Sequence, residues 1–144
     1  MLQVSARVHY GCLAMLELAQ RYTQDRPVAL REIVARQEIP QPFLVQILQS
    51  LRASNLVIST RGSGGGYRLA MPPERISVLE IAEAIGCGDA SAGGAEGAGD
   101  QAEATALRDL WIRADEAARE ALATTSLADL VTACNTDAES MFYI

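Results

Sequence analysis

The residues best placed to do chemistry are a run of glycines flanked by arginine, Arg61-Gly62-Ser63-Gly64-Gly65-Gly66, with Arg68 two residues beyond. Glycine lets the backbone reach positive φ and approach a phosphate closely. A guanidinium at such a tip can enter a narrow minor groove, where the negative potential is deepest. A nucleotide-binding loop is the competing chemistry. It needs a helix N-terminus directly after the glycines to hold phosphate, whereas here the pattern Tyr67-Arg68-Leu69-Ala70 alternates as a strand does. The sequence has one His, no nucleophile elbow and no spaced acidic pair, so an enzyme is not expected.

The second group is Gln41, Phe43 and Gln46, with Arg52 a little further on. Amides read base edges and arginines hold phosphates, so these residues suit a duplex if one helix face presents them. Helical spacing supplies that face. Phe43, Leu44, Ile47, Leu48 and Leu51 form an apolar stripe expected to be buried, over a helix expected from Gln41 to about Ser54, which leaves Gln41, Gln46, Gln49, Ser50 and Arg52 opposite. Pro42 suits the first turn. A shorter helix, Leu30 to Gln37, precedes it across the break Glu38-Ile39-Pro40, making a helix-turn-helix. Leu56 to Thr60 and Tyr67 to Ala70 then read as a hairpin around the glycines. Helix-turn-helix followed by hairpin is a winged helix.

These elements need a frame. A helix over residues 6–23 is apolar on nearly every side, which predicts burial against its own core and against a second subunit. Ser77, with Glu80 three residues on, caps a helix to Ile85. Residues 86–103 are rich in Gly, Ala and acids and are expected to form a mobile loop. A long amphipathic helix from Ala104 to about Ala123 carries Leu107, Leu110, Trp111, Ala114, Ala118 and Leu122 at spacings of 3 or 4. A last short helix is expected to end near Val131, with an extended tail from Asn135 to Ile144. The fold class is mainly α with a small β-hairpin: a winged-helix DNA-binding domain (1–75), a linker helix, loop and dimerisation helices (76–134), and a C-terminal tail (135–144).

Charge supports this orientation. The net charge of −6 hides an asymmetry: residues 1–75 carry nine Arg against five acids, and residues 76–144 carry three Arg against thirteen. The first half attracts a duplex and the second is repelled from it. Three scattered Cys make no disulfide framework, and no apolar run is long enough to span a membrane, so a reducing cytoplasm is the expected compartment.

The tract Leu48 to Ala70, centred on LRASNLVISTRGSGGGYRLA, closely resembles the Rrf2 family signature; Tyr10, Met15 to Ala19, and Ser77 to Ile81 fit it too. The resemblance implies a homodimeric winged-helix repressor on palindromic double-stranded DNA, with a long C-terminal helix crossing to the other subunit. Gln41, Phe43 and Gln46 would then face the major groove, and Arg52, Arg61, Gly62 and Arg68 the backbone or minor groove. Asn55 departs from the usual Gly, and Val45 stands where some relatives place a base-contacting Glu. Many members hold an iron–sulfur cluster on three Cys after the fourth helix, but residues 88–103 contain none. No cofactor is therefore expected. Cys87 and His9 are the alternative ligands if the chain is an iron–sulfur or redox-sensing regulator.

The Leu110 to Arg113 and Thr124 to Leu127 segments resemble the family's cluster-free cysteine-metabolism repressors, as does the ending Met141-Phe142-Tyr143-Ile144. That branch implies docking of the tail on O-acetylserine thiol-lyase (cysteine synthase). The alternatives are packing of Phe142 and Tyr143 on the dimer, or a regulatory subunit acting mainly on the enzyme.

Overall fold

A computed structural model describes residues 4–86 and 101–142. Within them α1 (Ala6–Gln20) is followed by a 3-10 turn (Tyr22–Gln24), α2 (Leu30–Gln37) and α3 (Gln41–Ala53). Strands β1 (Val57–Thr60) and β2 (Gly66–Leu69) come next, then a 3-10 turn (Pro73–Arg75), α4 (Val78–Ile85), α5 (Ala102–Ala123) and α6 (Leu127–Phe142). This is the expected winged helix, with α2 and α4 at their expected bounds.

The core is built from the periodic apolar positions. Met15 and Leu18 of α1, Ile33 of α2, Leu44, Ile47, Leu48 and Leu51 of α3, and Ile81 of α4 are fully buried together. Each contributes about 1.5–3 kcal/mol by leaving water. The α4 start is the expected capping box. Glu80 N–H donates to Ser77 Oγ at 3.1 Å, and Ser77 N–H donates to Glu80 Oε2 at 3.2 Å. Just before α4, the chain pairs with the start of α6. Leu127 N–H donates to Ile76 O at 2.8 Å and Val78 N–H to Thr125 O at 3.0 Å, which buries Leu127.

Three expectations need correction. First, α1 ends at Gln20 instead of residue 23. His9 and Gln20 are exposed, and Cys12, Leu13 and Leu16 are only half-buried. Second, the last helix does not stop near Val131; α6 runs to Phe142, so residues 135–142 are not an extended tail. The segment after Val131 has no Gly or Pro to break it. Its threonines bond back to the preceding turn, Thr132 to Ala128 O and Thr136 to Thr132 O, each at 3.0 Å. Third, α5 begins at Ala102, two residues early. Most of the loop expected to be mobile, residues 87–100, lies outside the described residues.

No residue of α5 is buried. Its C-terminal half leans on α4, where Arg119 Nη2 meets Glu83 Oε1 at 2.9 Å. Leu107, Leu110, Trp111 and Ile112 of its N-terminal half are exposed.

Candidate nucleic-acid interface

The helix-turn-helix is held to the frame by one buried carboxylate. Glu17 is 1% exposed, on a helix whose other buried residues carry no charge. Burial of a carboxylate requires partners, and they come from two helices. Arg21 Nη2 stands 3.0 Å from Glu17 Oε1 and Arg36 Nε 3.6 Å from the same oxygen. Gln37 Nε2 donates to Oε2 at 2.9 Å. Arg21 also pairs with Glu32 at 2.6 Å. The last turn of α2 is thereby fixed to α1, and the turn into α3 leaves from a defined point. That turn passes through Glu38 in the left-handed region (φ 53) and buries Ile39. Sequence reasoning passed over Glu17. The available signal was one acid inside Met15-Leu16-Glu17-Leu18-Ala19.

Leu44, Ile47, Leu48 and Leu51 of the expected stripe are buried, and α3 turns Gln41, Gln46 and Gln49 to solvent as the sequence suggested, with Arg52 near its end. Phe43, expected in the buried stripe, instead joins the exposed face because it stands in the first turn, before the helix packs on the core. Phe43 is 46% exposed, and its ring lies 6.2 Å from that of Tyr10. After α3 the chain reverses at Asn55, which adopts φ 62. This is the left-handed position for which Asn is the next best residue after Gly.

The wing is an antiparallel hairpin with Val57 opposite Leu69, Ile58 opposite Arg68, Ser59 opposite Tyr67 and Thr60 opposite Gly66. A third stretch of chain joins it, a feature not visible in the sequence pattern. Val28 N–H donates to Tyr67 O and Tyr67 N–H to Val28 O, both at 2.8 Å. Gly66 makes this possible, because a Cβ there would collide with the carbonyl oxygen of Val28. At the tip Gly62 takes φ 97, open to solvent, beside the exposed Arg61.

The arginines differ. Arg52 and Arg61 are exposed and make no ion pair among the described residues. Arg68 is half-buried, and its Nη2 lies 2.9 Å from Asp25 Oδ1. Gln41, Phe43, Gln46 and Arg52 therefore share α3, Arg61 and Gly62 share the tip, and Arg68 sits at the wing base.

The expected tail residues are only partly placed. Met141 and Phe142 belong to the last turn of α6, and Tyr143 and Ile144 lie outside the described residues, as does Cys87. His9 is exposed, its ring 6.4 Å from that of Tyr10. Cys12 is in α1 and Cys134 on α6. Among the described residues no group of three His, Cys, Asp or Glu side chains is placed to hold a metal. No helix among them is long and apolar enough to cross a membrane.

Residues 4–133 match the family model Rrf2, described as an iron-dependent transcriptional regulator. The chain is 33% identical to the HTH-type transcriptional regulator CymR of Bacillus subtilis, over 99% of this chain and all of that protein. The solved structure of CymR, titled the global cysteine regulator of B. subtilis, superposes with a TM-score of 0.79 at 32% identity, over 92% of this chain and 98% of that one. The T. potens IscR structure superposes with a TM-score of 0.75 at 33% identity, over 92% and 88%. Among the described residues the donor set does not fit the iron that the family description implies: Cys12 lies in α1 and Cys134 is exposed on α6, and no three His, Cys, Asp or Glu side chains come together there, whereas a cluster needs several thiolates converging on one site. With its helix-turn-helix, its Gly-rich wing and a match over nearly its whole length, this chain belongs to the Rrf2 family of winged-helix transcriptional regulators.

Proposed function

We propose that this protein is a homodimeric repressor that binds a palindromic operator through α3 and the wing and controls genes of cysteine and sulfur metabolism. The observation that carries the DNA part is the exposed face of α3, with Gln41, Phe43 and Gln46 beside a wing whose tip arginine makes no ion pair among the described residues. In this reading α3 enters the major groove and Arg61 reaches the minor groove or the flanking phosphates. Dimerisation is supported by α5, which keeps Leu107, Leu110 and Trp111 exposed in the protomer. A large apolar face left to solvent is unfavourable, and a second α5 is a self-complementary cover.

The cysteine regulon rests on the full-length likeness to CymR. In the same reading the C-terminal residues dock on O-acetylserine thiol-lyase, so that supply of the cysteine precursor sets repression. Because α6 continues to Phe142, the docking element is a helix end followed by Tyr143 and Ile144. A cytoplasmic, non-enzymatic role follows from this function.

The deciding experiment is transcript profiling of a strain lacking the gene, paired with gel shifts on the affected promoters. Derepression of cysteine-synthesis genes, with direct binding upstream of them, is the expected result. Direct binding only at iron–sulfur assembly genes would favour an IscR-like reading, which the T. potens structure supports. In that case Cys87 and His9 are the ligands to substitute first.

A further inference from the structure

The wing base carries an acid where a DNA-binding surface gains least from one. Asp25 is 89% exposed and sits in the left-handed conformation (φ 50) that closes the 3-10 turn after α1. The main chain fixes its position. Three residues later Val28 hydrogen-bonds both ways with Tyr67, the neighbour of Arg68, so the turn lies alongside β2. Arg68 Nη2 and Asp25 Oδ1 meet at 2.9 Å, 43 residues apart in sequence. The other acids of the first half do not reach the wing arginine: Glu17 is engaged with Arg21 and Arg36 and Glu32 with Arg21, and Glu38 and Glu74 make no ion pair among the described residues.

An exposed ion pair of this kind adds little to stability. It therefore does little for the fold, yet it occupies a guanidinium at the base of the wing. A phosphate oxygen offers Arg68 the same hydrogen-bonding chemistry as the carboxylate, with release of counterions as a further gain. We propose that Asp25 is an intramolecular competitor of DNA phosphate for Arg68, and that it sets the overall affinity of the regulator for duplex DNA. This rests on the DNA-binding reading above. A phosphate contact carries no sequence information, so Asp25 scales affinity for every sequence alike and leaves selectivity unchanged.

The test uses the full-length protein with two duplexes, one of mixed sequence and one selected from a random library. Asp25→Asn keeps the left-handed conformation, which Asn tolerates, and removes only the charge. It should tighten binding to both duplexes by the same factor, roughly two- to fivefold per wing. The plot of log affinity against log salt should steepen by about one for each phosphate gained. In an Arg68→Ala background the effect of Asp25→Asn should vanish, since the coupling runs through that one pair. No gain in affinity, a gain on one duplex only, or a gain that survives in the Arg68→Ala background overturns the proposal. Failure of the unaltered protein to bind either duplex would overturn the DNA-binding reading itself, and this proposal with it.

Discussion

Gln37, the last residue of α2, donates from Nε2 to Glu17 Oε2 across 2.9 Å, so a side chain buried in α1 holds the end of the helix that leads into α3. The two residues are 20 apart in sequence, and the bond is part of a network that also takes in Arg21, Arg36 and Glu32. Removing the carboxylate takes one partner from Arg21, which keeps Glu32, and from Arg36, which is largely exposed, and it leaves Gln37 without its buried acceptor. Glu17→Ala should lose about 1–2 kcal/mol of stability, from the lost hydrogen bond to a charged group and the unfilled buried site. Glu17→Gln keeps an acceptor for Gln37 and should lose less. Urea unfolding monitored by circular dichroism checks both, and an unchanged midpoint for Glu17→Ala would show the network to be incidental.

Gly66 is the point where the turn before α2 crosses the wing. A methyl group there would be forced into the Val28 carbonyl oxygen. Gly66→Ala should therefore break the Val28–Tyr67 bridge and release the wing, costing more than ~1 kcal/mol while α3 stays folded. Amide exchange of Val28 and Tyr67 measures this directly. Protection equal to that of the unaltered protein would contradict it.

Arg61 stands exposed at the glycine tip and makes no ion pair among the described residues, so its loss should leave the fold untouched. Arg61→Ala should weaken operator binding by roughly 1–3 kcal/mol. The readout is a gel-shift titration beside a thermal melt. Equal affinity with an equal melt would remove Arg61 from the interface.

Leu110 is 43% exposed in the protomer and lies on the unpartnered half of α5. A charge there has little to disturb within one chain. Leu110→Asp should cost on the order of 2 kcal/mol or more of dimer affinity, as for a central interface residue, with helix content preserved. Sedimentation velocity across a dilution series distinguishes the outcomes; a dimer as tight as before would place the subunit interface elsewhere.

Deleting Ile144 should abolish binding to O-acetylserine thiol-lyase without altering the dimer. This rests on the docking proposed above. Calorimetry with the purified enzyme decides it. Equal affinity for the full-length and truncated chains, or no displacement by O-acetylserine, would exclude tail docking.

The sequence alone determined the elements and their order. Local rules were enough for the α4 capping box, for α2 and α3 either side of Glu38-Ile39-Pro40, and for the hairpin around the glycines. Each is written in a few adjacent residues whose spacing matches one period. The outward Gln41, Gln46 and Gln49 of α3 follow from the same local logic, whereas the left-handed turn at Asn55 was suggested by the resemblance, in which Gly is usual there. The end of α6 was missed because Ser, Thr and Asn favour caps and turns in isolation, whereas here the threonines bond back along a helix. Only the tertiary structure decided which charges meet. Arg68 looked equivalent to Arg61 in the sequence, yet the Val28–Tyr67 bridge brings Asp25 to one, while the other makes no ion pair among the described residues. Nothing in the spacing around Glu17 singled it out, yet packing of α2 on α1 buries it against two arginines and a glutamine. Ion pairs between distant segments depend on how those segments are packed, and no periodicity within either segment encodes that.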